Sequence, residues 1–570
     1  MPEISDPIVA AKGDVDVDLL ISNCRIINLF SGTIKKDNIA IFKGQIVGFG
    51  DYPAKKIIDA RERYVAPGFI DGHVHIESSM LNPVCFAEAI VRRGTTAVIA
   101  DPHEIVNVLG LEGLQTFLDC TIDLPVDFYF MMPSCVPATH LETAAYNITA
   151  KTMQAFQSEN RMLGLGEMMN YPGVINRDSA TLEKIKLYQD KIIDGHSPLL
   201  SGKELSAYMA AGITSDHECS SLEEAQEKLE KGMFILIREG SAAKNLEALL
   251  PLVTSYNSAN FGFCTDDRHP DYLMEKGHID NIINKAINLK MSPIRALQLS
   301  SLNIARHYQL PGRGGLGIGY QADLVLFDDL EDIKVQQVFK KGKLIVNEGK
   351  LVTGFYQQPH KFKNSIHIKD LSEDRFTIPA KTGKVKVIQT IPDQILTRQT
   401  TAVLPQARHN LQVDPEHDIL KLAVVERHKN TGNIQTAFVK GFGLKKGAIC
   451  STVAHDSHNL IILGTNDADM HHCVEIIREM KGGLAIVVDG KKIAALPLPF
   501  AGLMSDKSLA EVYRDYLKLL QAAREYGCIM DDPFMSLSFL ALPVIPELKL
   551  TDKGLVDVNR FDFTSLYETD

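Results

Sequence analysis

The feature that most restricts this chain is a short apolar run ending in two histidines one residue apart, Phe69-Ile70-Asp71-Gly72-His73-Val74-His75. Pro67-Gly68 before it and its apolar content mark a strand, in which alternate side chains leave on one face. His73 and His75 then point the same way, about 6.6 Å apart by strand rise. They read as half of a metal site.

Seven more apolar runs follow: Thr95 to Asp101, Val126 to Met132, Met162 to Glu167, Ile192 to His196, Ile213 to His217, Met233 to Arg238 and Phe261 to Asp266. Helix signals stand between them. Ser201-Gly202-Lys203-Glu204 and Ser221-Leu222-Glu223-Glu224 have the capping-box pattern, and Gly212 and Gly232 occupy stop positions. Leu222, Ala225 and Leu229 fall on one helical face. Eight strand and helix units predict an α/β fold, a (β/α)8 TIM-like barrel over residues 67–310. A doubly wound sheet would leave unexplained why so many strands end in ligand-type residues.

Short strand-like runs at 1–66 and again at 311–365 predict a small β-sandwich into which the barrel is inserted. A polar, Lys-rich stretch beyond Gly349 leads to a C-terminal α/β domain, 366–570. There Lys440-Gly441-Phe442-Gly443 and Gly447 have some phosphate-loop character but fit no glycine fingerprint. Ala454-His455-Asp456-Ser457-His458 is either a polar turn or a segment facing the barrel mouth.

At a net charge of -11, the chain is a poor partner for nucleic acid, so any nucleobase it acts on is a free base. Its nine cysteines contain no C-x-x-C pair and read as reduced core thiols. Met1 to Asp18 lacks a basic segment followed by an apolar one, and no apolar run reaches membrane length. The expected location is cytoplasmic, with no membrane partner.

In such a barrel the C-terminal strand ends carry the active face. Here they bear His73 and His75, Asp101 with His103 and Glu104, Glu167, His196, His217 with Glu218, Arg238 with Glu239, and Asp266 with Asp267. Four histidines and two carboxylates suit two divalent ions: His73, His75 and Asp266 on one, His196 and His217 on the other, Glu167 between them. Imidazole and carboxylate favour Zn, Fe or Mn. A water shared by two such ions ionises near neutral pH.

The run Pro67 to His75 resembles the first-strand signature of the amidohydrolase superfamily. With His75-Ile76-Glu77-Ser78-Ser79-Met80, Asp101-Pro102-His103-Glu104-Ile105, Asp216-His217-Glu218-Cys219, Arg238-Glu239-Gly240-Ser241 and Phe263-Cys264-Thr265-Asp266-Asp267, the ordered set resembles the adenine deaminases. Met132 to Thr139 and Val425-Glu426-Arg427-His428 extend the likeness over nearly the whole chain.

The resemblance implies hydrolysis of adenine to hypoxanthine and ammonia, in purine salvage or catabolism, with Mn2+ or Fe2+ favoured and Zn2+ allowed. It implies that Glu167, in Gly164-Leu165-Gly166-Glu167-Met168, bridges the metals where many relatives use a carboxylated lysine. In the expected mechanism a hydroxide attacks C6, Asp266 carries its proton to the leaving amine, and Glu218, protonated by burial, donates to N1. Arg238, Glu239, Asp267 and His269 are expected to read the purine edge or to support the ligands. Asp101, His103 and Glu104 are expected to form a separate cluster that orients ligands or binds an auxiliary ion. Relatives assemble, which implies a homodimer. Two rival readings are a hydantoinase-like cyclic-amide hydrolase, which usually carries the lysine bridge, and a non-catalytic scaffold homologue, which usually lacks the ligands.

Overall fold

The computed structural model describes residues 5–241, 243–352, 354, 364–391 and 394–568. Most of the Lys-rich stretch beyond Gly349 lies outside them.

Strands Ile192–Gly195, Met162–Met168, Asp127–Met132, Thr95–Ala100, Phe69–His75 and Asp266–Asp267 lie side by side in a six-stranded sheet. Ser215–Asp216, Phe234–Arg238 and Phe261–Cys264 make a three-stranded sheet. All these pairings are parallel. In sequence order they are the eight barrel strands, the eighth being split at Thr265. Phe261–Cys264 pairs with the seventh strand, and past Thr265 the chain pairs with the first, Asp266 opposite Val74 and Asp267 opposite His75. Across the gap between the fifth and sixth strands, Thr214 N–H donates to Ile193 O at 3.0 Å. Helices cover the outside, so strands such as Thr95–Ala100 are buried throughout and apolar without alternation.

Asp71, buried within the first strand, accepts from Thr265 N–H at 3.0 Å and from its hydroxyl at 2.5 Å. That anchor breaks the eighth strand. Asp266 follows with a φ of 57°, a left-handed conformation that aspartate tolerates better than most residues.

The first part of the chain and the segment after the barrel form one nine-stranded sheet. Leu324–Phe327 runs antiparallel to Tyr64–Pro67, so the chain leaves the sheet at Pro67 and returns beside its own exit. The C-terminal region holds an eight-stranded sheet with helices Asp467–Met480 and Leu509–Glu525. It is fastened to the loop after the third barrel strand: Thr143 N–H donates to Asp552 at 2.8 Å, and Thr551 Oγ1 donates to Leu141 O at 2.7 Å.

Two local expectations change. Helix Gly202–Ala210 has no side-chain cap from Ser201; Glu227 of the next helix accepts from Gly202 N–H instead, at 2.8 Å. The Gly441 and Gly443 amides donate to Asp418 at 2.7 and 2.6 Å. The chain's own carboxylate therefore fills that loop, and it is no phosphate cradle. The nine cysteines are free, and no helix of the described residues is long and apolar enough to cross a membrane.

Candidate metal centre

Six side chains from five strand ends converge at the barrel mouth, all buried. The Nε2 atoms of His73 and His75 lie 3.1 Å apart. Asp266 Oδ1 is 3.5 Å from the first and 3.1 Å from the second. Glu167 reaches both halves. Its Oε1 is 3.2 Å from His75 Nε2, and its Oε2 is 2.7 Å from His196 Nδ1 and 3.3 Å from His217 Nε2. His73, His75 and Asp266 form one group able to hold an ion; His196, His217 and Glu218 form another.

The surroundings fix how these groups point. His75 Nδ1 lies 2.9 Å from Asp101 O, which can only accept, so the Nε2 lone pair faces the centre. Asp101 Oδ2 accepts Glu167 N–H at 2.9 Å, and a Cβ on Gly166 would meet that oxygen at 2.1 Å; only glycine fits there. Tyr208 OH accepts His196 N–H at 3.1 Å and donates to Met168 O at 2.7 Å.

Two imidazole nitrogens facing each other with carboxylates around them make a buried donor set whose chemistry fits divalent transition ions. Charge agrees. Burial, the largest single influence, lowers His217, but the carboxylates of Glu167, Asp266 and Glu218 together outweigh it and push it up to about 9. Burial alone raises Glu167 and Asp266, yet the histidines around Glu167 and the guanidinium of Arg238 beside Asp266 hold both well below the usual carboxylate range.

Arg238 grips both Glu218 oxygens and donates to Asp266 Oδ2 at 2.7 Å. The expected protonation of Glu218 is corrected: burial raises it, but Arg238, His196 and His217 outweigh burial and keep it ionised.

Asp101, His103 and Glu104 do not form a separate cluster. His103 Nδ1 lies 3.4 Å from Glu167 Oε1 and 3.5 Å from Asp101 Oδ1, which joins both to the centre. Glu104 lines the same cavity and lies 2.6 Å from His455 Nδ1 in the C-terminal region. Asp267 lines the cavity and accepts from Ser78. Neither Glu239 nor His269 lines the cavity, so of the two roles expected for them the geometry favours support of neighbouring groups. Glu239 pairs with Lys285 at 2.9 Å, and His269 Nδ1 sits 3.0 Å from Asp532 and 3.1 Å from Tyr516 OH.

Two contributions escaped the sequence reading, and one that it left open is placed here. His455 and Asp456 face the barrel mouth, which resolves the open alternative for that segment. Ile395, Phe539, Leu542 and Ile545 line the same cavity. Lys228, fully buried on helix Leu222–Glu230, binds Asp216 at 3.0 Å, Glu224 at 2.8 Å and Ser197 O at 2.7 Å, beside both His217 and His196. A lysine three residues after the buried Ala225 on that helix was the available signal.

The parallel barrel with a His-and-carboxylate cluster at its C-terminal mouth defines a metal-dependent hydrolase of the amidohydrolase class, and the model of the amidohydrolase family matches residues 64–345. The model of the adenine deaminase C-terminal domain matches residues 394–562. An adenine deaminase of Desulfatibacillum aliphaticivorans is 48% identical over 98% of this chain and 99% of its own. Adenine deaminase 2 of Carboxydothermus hydrogenoformans is 46% identical over 98% and 99%. The chain belongs to the adenine deaminase family. Among solved structures, a β-aspartyl dipeptidase of Fervidobacterium islandicum AW-1 aligns with a TM-score of 0.45 and 17% identity, over 60% of this chain and 100% of that one.

Proposed function

We propose that this protein hydrolyses adenine to hypoxanthine and ammonia at a centre of two divalent ions. The observation that carries the reading is Glu167, whose two oxygens face separate sets of histidines within a family whose relatives are named adenine deaminases. His73, His75 and Asp266 would hold one ion, His196 and His217 the other, and Glu167 both. Manganese or iron is favoured, and zinc suits the same donors.

Bound there, the two ions would bring the pKa of a shared water from 15.7 to about 7. Glu218, held as a carboxylate by Arg238, would accept a proton from the attacking water and deliver it to N1 of the purine. Asp266, steadied by Arg238 through Oδ2, takes the second proton and passes it to the amine at C6, which leaves as ammonia. Atoms balance: water supplies the product oxygen and both protons. Asp101 and His103 keep Glu167 in place, and Asp267 borders the cavity beside Asp266.

The test is to strip the protein of metal, restore Mn(II), Fe(II) or Zn(II) separately, and follow adenine loss with ammonia release. A hydantoin ring-opening assay runs alongside. Ammonia from adenine with at least one metal is expected; ring opening without deamination, or inertness toward adenine with all three, would end this reading.

A further inference from the structure

The cavity has two unlike halves. The barrel supplies most of the charge, with Glu167, Asp266, Glu218, Arg238 and four histidines, to which the C-terminal domain adds His455 and Asp456. A purine is a flat aromatic ring, and sites for such ligands are mostly apolar, with few polar groups fixing orientation. Met169 and Ala243 are the barrel's apolar contributions to this lining, and the rest of the apolar surface is Ile395, Phe539, Leu542 and Ile545. All four lie in the C-terminal domain.

This wall is held in register with the metal centre. Glu104, adjacent to His103 on the barrel, lies 2.6 Å from His455 Nδ1, and the His455 ring stacks on Phe539 with centroids 4.6 Å apart at 15°. From behind, Lys549 donates to Ile395 O at 2.9 Å and to Phe539 O at 3.0 Å. Lys549 is fully buried, and no carboxylate pairs with it among the described residues. An ammonium kept from water without a counter-charge is costly. Here its two bonds go to the backbone of two residues that line the cavity.

Building on the adenine reading above, we infer that the C-terminal domain forms the purine-binding wall of the active site, with Leu542 and Ile545 as specificity-determining contacts on the base and Lys549 as the residue that positions the wall. The catalytic groups come from one domain and the surface that selects a flat base from another. The two must stay docked for the enzyme to bind its substrate.

The experiment measures KM and kcat for adenine in full-length, metal-loaded Leu542→Ala, Ile545→Ala and Ile545→Val variants, with metal content and circular dichroism recorded for each. The alanine variants are expected to raise KM roughly tenfold or more, with kcat within about threefold of wild type. Ile545→Val should raise KM roughly fourfold for the lost methylene. Unchanged KM in the folded, metal-loaded alanine variants, or in Ile545→Val if those do not fold, overturns the wall. A wild-type protein inert toward adenine would instead defeat the reading on which the wall rests, so the two failures are distinct.

Discussion

Arg238 meets Glu218 with two nitrogens on two oxygens, a planar pair buried beside the metal ligands, while the same guanidinium reaches Asp266 at 2.7 Å. Removing it strands two carboxylates in a site that already holds a third, Glu167. Arg238→Met is expected to lose about 3–5 kcal/mol of stability, measured by urea unfolding of the metal-loaded protein. A variant as stable as wild type would mean that bound cations alone neutralise the cluster.

Glu167→Gln keeps the shape of the side chain but removes the charge shared by both histidine sets. Metal content should fall below wild type on elemental analysis, and kcat for adenine should drop by about 100-fold or more. Wild-type metal content with wild-type turnover would remove Glu167 from the bridging position.

Lys228 touches no substrate and no proposed ligand. It neutralises Asp216, which in turn accepts from Ser197 N–H at 2.9 Å and so ties the loop after His196 to the strand that carries His217. Lys228→Met is expected to cost about 3–5 kcal/mol and to speed loss of metal to a chelator. Unaltered chelator kinetics would show that the pair supports the fold without steering the ligands.

Lys549 carries a pH signature. Burial brings its pKa down to about 7, whereas in an unfolded chain it titrates near its ordinary value of about 10.4. Between those values the unfolded chain binds the extra proton, so this residue makes the fold more stable as pH rises through the window; below pH 7 both states are charged and the effect is constant. The stability difference between wild type and Lys549→Met should therefore shift toward wild type from pH 7 to 10, by at most about 1.4 kcal/mol per unit. Chemical denaturation at four pH values checks it, and a difference that stays flat would show that the ammonium finds compensation elsewhere.

Much of the barrel was legible because its signal is local. The predicted run Phe69 to His75 is the observed strand, and the ends of the others differ by a few residues. The most altered are the sixth, reduced to Ser215–Asp216, and the eighth, split where Asp71 seizes Thr265. The ligands were readable for the same reason, each closing an apolar run. For Glu239 two roles stayed open although strand alternation favours the supporting one: if Arg238 turns inward at the end of its strand, its neighbour faces away. His269, Phe539, Leu542 and Lys549 obey no local rule. Their positions follow from docking between segments hundreds of residues apart, which leaves no periodic trace.

The return of Leu324–Phe327 beside Tyr64–Pro67 also sets an order of assembly. A ribosome has emitted the amino-terminal strands long before their last partner exists, so that half-built sheet must wait with an open edge while the whole barrel emerges. Nascent chains halted before Leu324 should be the ones that chaperones hold and proteases clear.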